Sequence, residues 1–193
     1  VGSVARPFGG WLSDRVGGAR VTLGVFLGMA AATLVAIAGV QGRSFPAFLA
    51  SFVAIFLLAG MGNGSTYRMI PSIFGALGRR EAAERGVPER ETQLDFKRRA
   101  AAVIGIAGAI GAFGGFLVQV ALRQASLSVQ AAVKAAETPA EKVAVAAAHA
   151  DWSAGALWVF AGAYVVLAAL TWFCYLRRRF AVDRVPSLAY AGV

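Results

Sequence analysis

Residues 1–20 read VGSVARPFGGWLSDRVGGAR and combine an apolar helix, one arginine inside it and a charged, glycine-rich turn at its end. Arg6 lies eight residues before Asp14, the first charge of the turn. At 1.5 Å per helical residue this separation is about 12 Å, which reaches close to the middle of a hydrocarbon layer about 30 Å thick. An arginine at that depth costs about 2.5–3.5 kcal/mol even on insertion scales, and such residues usually face a cavity or a partner. Arg6 is therefore the first candidate functional residue.

The composition is that of an integral membrane protein. The chain has 193 residues, 58% of them hydrophobic, and a mean hydropathy of +0.64, and its apolar runs reach the length that spans a bilayer. A net charge of +9 would suit a nucleic-acid binder only if it were clustered on one soluble face with stacking aromatic residues. Here the charge lies between apolar runs, so we expect a lipid bilayer and no nucleic acid as partner. The single cysteine, Cys174, excludes an internal disulfide and a cysteine metal cluster.

The apolar runs predict an all-α, polytopic membrane fold with five spans. In order, the runs are residues 1–12, 21–40, 47–77, 101–122 and 154–176. Because the chain opens inside the first run, we expect it to be part of a longer protein.

Basic residues divide unevenly between the two sides of this predicted bundle. Segments 13–20, 78–100 and 177–193 hold thirteen of the nineteen Lys and Arg residues, and the segments on the other side hold four. Short loops rich in Lys and Arg stay in the cytoplasm, so we predict that the thirteen and the C-terminus lie on the cytoplasmic face of the inner (plasma) membrane. The remaining two are Arg6 and Arg68, both inside helices.

The acidic residues set the expectation for these two arginines. All ten Asp and Glu residues lie outside the predicted spans, so no carboxylate of this chain is expected to neutralise Arg6 or Arg68 within the membrane. Two such cations favour an anionic substrate. The alternatives are that an acid elsewhere in the protein pairs with them, or that one of them reaches the surface by snorkelling.

The third predicted helix changes character in its second half, GMGNGSTYRMIP at 60–71. Its glycines and Pro71 weaken a helix, so we predict a bend. Asn63 and Tyr67 are four residues apart and would share one face, which makes them and Arg68 candidates for a pocket. The alternative is a glycine-rich packing surface with a proline kink.

The turn after the first helix resembles the G-x-x-x-D-R-x-G signature of the major facilitator superfamily. Asp14 can accept charge-assisted hydrogen bonds from neighbouring arginines or from helix N-terminal amides, while glycine permits a tight reversal. We predict a gating turn, against the alternative of a solvated connection between two helices. The residues concerned are Gly10, Asp14, Arg15, Gly17 and Arg20.

Residues 101–122 read AAVIGIAGAIGAFGGFLVQVAL and carry small residues at spacings of three and four. Such a stripe lets another helix or a small ligand approach the backbone, and on its own it usually indicates helix packing. Together with GSVARPFGGWLSDRVGGAR and GMGNGSTYRMIPSIF, however, its GIAGAIGAFGGFLV resembles the second half of the nitrate/nitrite porters of the major facilitator superfamily. The resemblance covers about residues 1–122, and the final helix by position only.

The resemblance implies a twelve-helix transporter in which this chain forms helices eight to twelve and works with a missing N-terminal half. In that family, one arginine from the second helix and one from the eighth hold the planar anion, and a glycine-rich signature lies on helices five and eleven. Arg6 matches the eighth-helix arginine; relatives can carry an uncharged polar residue at Arg68, which leaves its contact with the anion open. The matching signature glycines are Gly108, Gly111, Gly114 and Gly115.

We therefore expect transport of nitrate and nitrite by alternating access, with no enzymatic activity, cofactor or metal. The nearest alternative is a carrier of another small anion or an organic solute. A membrane redox subunit would need haem-ligating histidines within the spans, and the only histidine, His149, lies in the external segment. That segment, 123–153, is predicted to form a helical hairpin, and 78–100 a solvated surface helix.

Overall fold

A computed structural model describes residues 2–149 and 151–176, which fold into six α-helices and a short π-helical turn without a β-strand. The all-α prediction is confirmed. The predicted basic tail from residue 177 lies outside the described residues. The elements are α1 (Gly2–Val16), α2 (Gly18–Gln41), α3 (Phe45–Arg85), α4 (Glu89–Ala135), α5 (Pro139–Ala148), α6 (Ala154–Thr171) and the π-helical turn Trp172–Leu176.

Four helical segments in the described part of the chain are long and apolar enough to cross a membrane: α2, α3, α4 and α6 with its π-helical turn. With 15 residues, α1 is shorter than a full span. By contrast, α3 has 41 residues and α4 has 47, which correspond to about 60 and 70 Å. Since a hydrocarbon layer is about 30 Å thick, both helices continue well beyond it.

The charged segment 78–100 is a hairpin, so the prediction of one surface helix there is wrong. Helix α3 ends where Gly86 adopts a left-handed φ of 64°, a common glycine C-terminus for a helix. Pro88 then precedes α4. Across the hairpin, the Thr92 hydroxyl donates to the Gly78 carbonyl at 2.9 Å, and Phe96 is buried against the same glycine.

The predicted external hairpin is present and consists of the end of α4 and the short helix α5, which pack against each other. Thr138 caps α5: its hydroxyl accepts from the Glu141 amide at 3.2 Å, and its own amide donates to the Glu141 carboxylate at 3.1 Å. Backbone hydrogen bonds from Thr138 and Glu137 lower the pKa of Glu141. Because the pKa is lowered on folding, this capping contribution is present at neutral pH and is lost only as pH falls through the lowered pKa.

Helix α3 is the centre of the bundle, with α1, α2 and α4 packed around it, while α6 packs against α2. The glycine-rich part of α3 packs directly against α1, as the alternative interpretation of that segment proposed. A Cβ at Gly64 would collide with the backbone of Arg6, and one at Gly60 with the backbone of Gly2. The helix remains α-helical through Pro71, so the glycines serve close packing and do not interrupt it.

A buried polar group joins α3 to the start of α2. The Ser65 side chain has no exposed surface; its hydroxyl donates to the Gly18 carbonyl at 3.1 Å and shares a hydrogen bond with the Thr22 hydroxyl at 3.3 Å. These bonds satisfy a hydroxyl that would be costly to bury alone. They also fix the turn between α1 and α2 on the surface of α3.

The close approach of α1 and α3 makes Gly64 sensitive to a single methyl group. In the purified protein, we expect Gly64→Ala to lower the free energy of unfolding by about 1–3 kcal/mol, because backbone atoms of Arg6 occupy the added volume. Thermal or denaturant unfolding in detergent measures the change. Gly24→Ala is the matched control, since no atom lies within 4 Å of its added Cβ, and we expect it to be neutral or stabilising by up to about 1 kcal/mol. Equal effects of the two substitutions would contradict the packing described.

Candidate functional site

An open cavity of about 560 Å³ lies between α1 and α3 and contains the charged residues singled out from the sequence. Arg6 and Asp14 reach it from α1, and Tyr67 and Arg68 from α3. Its complete lining is Arg6, Pro7, Gly10, Trp11, Asp14, Gly64, Tyr67 and Arg68. Two guanidinium groups, one phenol and one carboxylate therefore share a single space.

Arg6 is exposed in this cavity, and its side chain has no hydrogen bond or ion pair with any residue in the ranges that the structure describes. Its backbone, in contrast, is held against Gly64 of α3. Arg6, Gly10 and Asp14 are spaced by four residues and so follow one face of α1. The buried Gly10 adds no side chain to this face, which leaves open space between the arginine and the carboxylate.

Arg68 is paired, so the prediction that no carboxylate of this chain would neutralise it is wrong. Its Nε donates to Asp14 Oδ1 at 3.0 Å and its Nη2 to Asp14 Oδ2 at 2.7 Å, a two-point arrangement that suits guanidinium and carboxylate. The reason is the length of α1, which continues to Val16 and so carries Asp14 on the helix itself, facing α3. The two side chains are 61% and 47% exposed, and an ion pair this exposed to water contributes about 0–1 kcal/mol.

The predicted turn residues do not form one cluster in the structure. Gly17 has a φ of 95°, a conformation that L side chains rarely adopt, and its amide donates to the Ser13 carbonyl at 2.9 Å. Arg15 lies over the Trp11 ring, 4.2 Å from its centroid, as a cation–π contact. Thus Asp14 faces the cavity, Gly17 makes the reversal, and Arg15 packs on α1; Arg20 is exposed at the start of α2.

The predicted glycine signature on α4 is only partly brought to this site. A Cβ at Gly108 would lie 3.6 Å from the Tyr67 hydroxyl, next to the cavity. Apart from the backbone of α4 itself and the adjacent residues, no atom of the described structure lies within 4 Å of a Cβ added at Gly111, Gly114 or Gly115. These three glycines form an open strip on α4, and they do not pack against another described helix.

Asn63 does not line the cavity although it precedes Tyr67 by one helical turn. Conversely, sequence reasoning missed Pro7, Trp11 and Gly64 as lining residues. Gly64 lies one helical turn before Arg68, a spacing that indicates a shared face. Pro7 and Trp11 lie one and five residues after Arg6, and neither spacing indicates one. What the sequence did not indicate was which faces of α1 and α3 meet.

The long apolar helices are those of a multi-pass helical membrane protein. Comparison with known proteins is specific: over 183 residues, 93% of the chain, it is 34% identical to the nitrate/nitrite transporter NarU of Escherichia coli (strain K12) and spans 35% of that protein's length. It is also 34% identical over 182 residues to NarU of Salmonella typhimurium, again over 35% of the relative.

A third relative, the probable nitrate/nitrite antiporter NarK2 of Thermus thermophilus, is 35% identical over 121 residues, 61% of the chain and 22% of the relative. No family model matches the chain. The resemblance indicated by the motifs is nevertheless confirmed: the chain is homologous to part of the nitrate/nitrite porters, and it spans about a third of the length of NarU.

The pairing of Asp14 with Arg68 is measurable as a coupling energy. We expect a double-mutant cycle with Asp14→Asn and Arg68→Gln to give about 0.2–1 kcal/mol in the free energy of unfolding, smaller at high salt because both groups are exposed. A second cycle with Asp14→Asn and Arg15→Gln is the control, since Arg15 packs on Trp11. Coupling in the control cycle equal to that of the Arg68 cycle would assign the carboxylate to the wrong partner.

Proposed function

We propose that this chain forms part of a nitrate/nitrite transporter and supplies one wall of its anion site. The single observation that supports this most strongly is Arg6, a cation in an apolar helix that is unpaired within the described residues and faces a cavity whose one carboxylate, Asp14, is bound to Arg68. The relatives, nitrate/nitrite transporters and a probable nitrate/nitrite antiporter, support the same substrate class. Since these relatives are transporters by name, the proposed role of the chain is transport and not catalysis.

In the proposed site, Arg6 binds the anion and the opposite wall completes its coordination. A guanidinium group is planar and offers two parallel N–H donors, which match two oxygens of planar nitrate. Tyr67, 44% exposed on the α3 wall, offers a hydroxyl donor for the third oxygen. We assign the second arginine of the site to the missing N-terminal half of the same transporter.

We propose that four glycines of α4 form the side of the anion path that carries no side chains. They are Gly108, Gly111, Gly114 and Gly115. Gly108 borders the cavity beside Tyr67, and the open strip formed by the other three glycines lets a small ion or a neighbouring helix approach the backbone of α4. Asn63 lies one turn from Tyr67 on α3 and is proposed only as a neighbour of the pocket. The four glycines are thus part of the substrate-binding proposal, while Asn63 and Arg68 are not direct ligands in it.

We assign Asp14 and Arg68 to the gate. Asp14 is two helical turns from Arg6, about 12 Å along α1, and its pair with Arg68 ties α1 to α3 at that end of the cavity. Gly17 fixes the reversal that follows, and the buried Ser65 holds the start of α2 to α3. Closing and opening of the gate then require the carboxylate and the guanidinium to separate while Arg6 keeps the anion.

We place the transporter in the inner (plasma) membrane, with the α3–α4 hairpin and the C-terminus in the cytoplasm, because the basic residues concentrate there. In this orientation the Asp14–Arg68 pair is at the cytoplasmic end of the cavity. The external hairpin is then tied to the external α2–α3 connection, since Arg43 donates to the Ala147 carbonyl at 3.1 Å.

Arg6 is tested by a substitution that keeps its charge. In the complete transporter, we expect Arg6→Lys to weaken nitrate binding at least about tenfold, because it loses one charge-assisted hydrogen bond worth about 1.5–3 kcal/mol. Arg68→Gln should have a smaller effect, since Arg68 acts through Asp14. Nitrate affinity of the purified protein is the measurement, and Arg123→Lys, exposed on α4 outside the cavity, is the control.

Two outcomes of this experiment would redirect the proposal. If Arg6→Lys binds nitrate like the wild type while Arg68→Gln abolishes binding, the anion contact belongs to Arg68. If Arg6→Ala retains nitrate binding as well, a carrier of another small anion or an organic solute becomes the better assignment.

The gate is tested by removing one charge. We expect Asp14→Asn to shift the balance between inward- and outward-open states while nitrate still binds at Arg6, because only the pair with Arg68 is weakened. The rate of labelling of single cysteines introduced on the two faces measures that balance. Unchanged labelling on both faces would make the turn a connection without a gating role.

A further inference from the structure

A second cavity lies between α3 and α4, on the side of the charged hairpin, with a volume of about 420 Å³. It shares no lining residue with the cavity at Arg6. Its apolar walls include Phe74 and Phe96, whose ring centroids are 6.4 Å apart. Phe96 is 7% exposed and rests on Gly78, so this wall belongs to the packed part of the hairpin.

The cleft is apolar at one end and cationic at the other. Helices α3 and α4 run antiparallel from the turn at 86–88, so Pro71 and Ile104 mark the end farther from the turn. Arg79 and Lys97 mark the nearer end, eight residues along α3 and seven along α4, which correspond to about 12 and 10 Å. The apolar end therefore points toward the membrane span and the two cations toward its surface.

These two cations are available to a ligand. Neither Arg79 nor Lys97 makes a hydrogen bond or ion pair within residues 2–149 and 151–176, and the terminal Nη1 of Arg79 extends back along the cleft toward Gly75. No carboxylate lines the cleft; its remaining polar side chain, Gln93, donates to Glu89 at 3.3 Å.

Three other acids of the hairpin form ion pairs, each with an arginine one turn away on the same helix. The pairs are Arg80–Glu84, Arg85–Glu81 and Arg99–Asp95. The two cations of the cleft are thus left uncompensated beside an apolar groove. This combination fits a ligand that carries a negative group at one end and a hydrocarbon chain at the other.

We propose that this cleft binds one anionic phospholipid, with the phosphate held by Arg79 and Lys97 and an acyl chain lying along Phe74, Ala101 and Ile104. Basic pockets between membrane helices at the cytoplasmic face are suited to such head groups. The groove distinguishes a lipid from a free phosphate ion, because only the lipid uses its apolar end. The proposal is independent of the anion site, since the two cavities share no residue.

The test measures lipid binding by the complete purified transporter. Native mass spectrometry in detergent detects the bound lipid during titration with phosphatidylglycerol. We expect retained phosphatidylglycerol but not phosphatidylcholine, and we expect Arg79→Gln with Lys97→Gln to weaken retention at least about tenfold. Arg90→Gln with Arg98→Gln is the matched control. It removes the same charge from exposed residues of the same hairpin that do not line the cleft, and it should leave retention unchanged.

A second variant separates the groove from general surface charge. Ala101→Phe keeps all charges and fills the apolar end, so it should also weaken phosphatidylglycerol binding. In a competition experiment on the wild type, soluble glycerol phosphate should not displace the lipid. An equal loss of phosphatidylglycerol retention in the Arg79→Gln, Lys97→Gln variant and in the Arg90→Gln, Arg98→Gln control would overturn the proposal in favour of general surface charge. Displacement of the lipid by glycerol phosphate would show that the cleft binds only the phosphate group. Absence of any retained lipid in the wild type would show that another part of the protein fills the cleft.

Discussion

The contact on which the rest of this structure depends is the direct approach of two helix backbones, α1 and α3, at Gly64. With no side chain at that position, α3 lies against the backbone of Arg6. The same contact sets the separation of the helices two turns further along α1 and one turn further along α3, where Asp14 and Arg68 meet at hydrogen-bond distance. The cavity exists because the helices touch on one side and carry long polar side chains on the other.

The all-α class and the long apolar helices follow from the sequence because bilayer spans impose long apolar runs. Their ends do not, because a helix can continue as a polar, solvated rod after it leaves the hydrocarbon. This is why α3 and α4 extend to Arg85 and Ala135, beyond the predicted limits of 77 and 122. The interruption at Gly86 and Pro88 was readable from residue type, since both residues end or exclude a helix.

The sequence indicated most of the charged residues of the site, but it did not indicate which of them form an ion pair. Arg6 stands out because an arginine in an apolar run is costly, and the structure places it in a cavity. Arg68 appeared equally isolated, yet it meets Asp14, which is 54 positions away in the chain. Long-range pairing of this kind depends on the relative rotation of two helices, and hydrophobic periodicity is too weak a signal in a chain that is apolar on most faces. The open glycines of α4 illustrate the same limit, since spacing alone does not say what a smooth face will meet.

Helix α3 runs without interruption from Phe45 to Arg85, past Gly64 in the contact with α1 and past Phe74 in the cleft with α4. It therefore forms one wall of each of the two cavities. A helix of this length measures about 60 Å, so a tilt of a few degrees at the charged hairpin would displace its other end by an ångström or more. Because one helix borders both cavities, a change in its position would alter both of them without a chain of side-chain contacts between them.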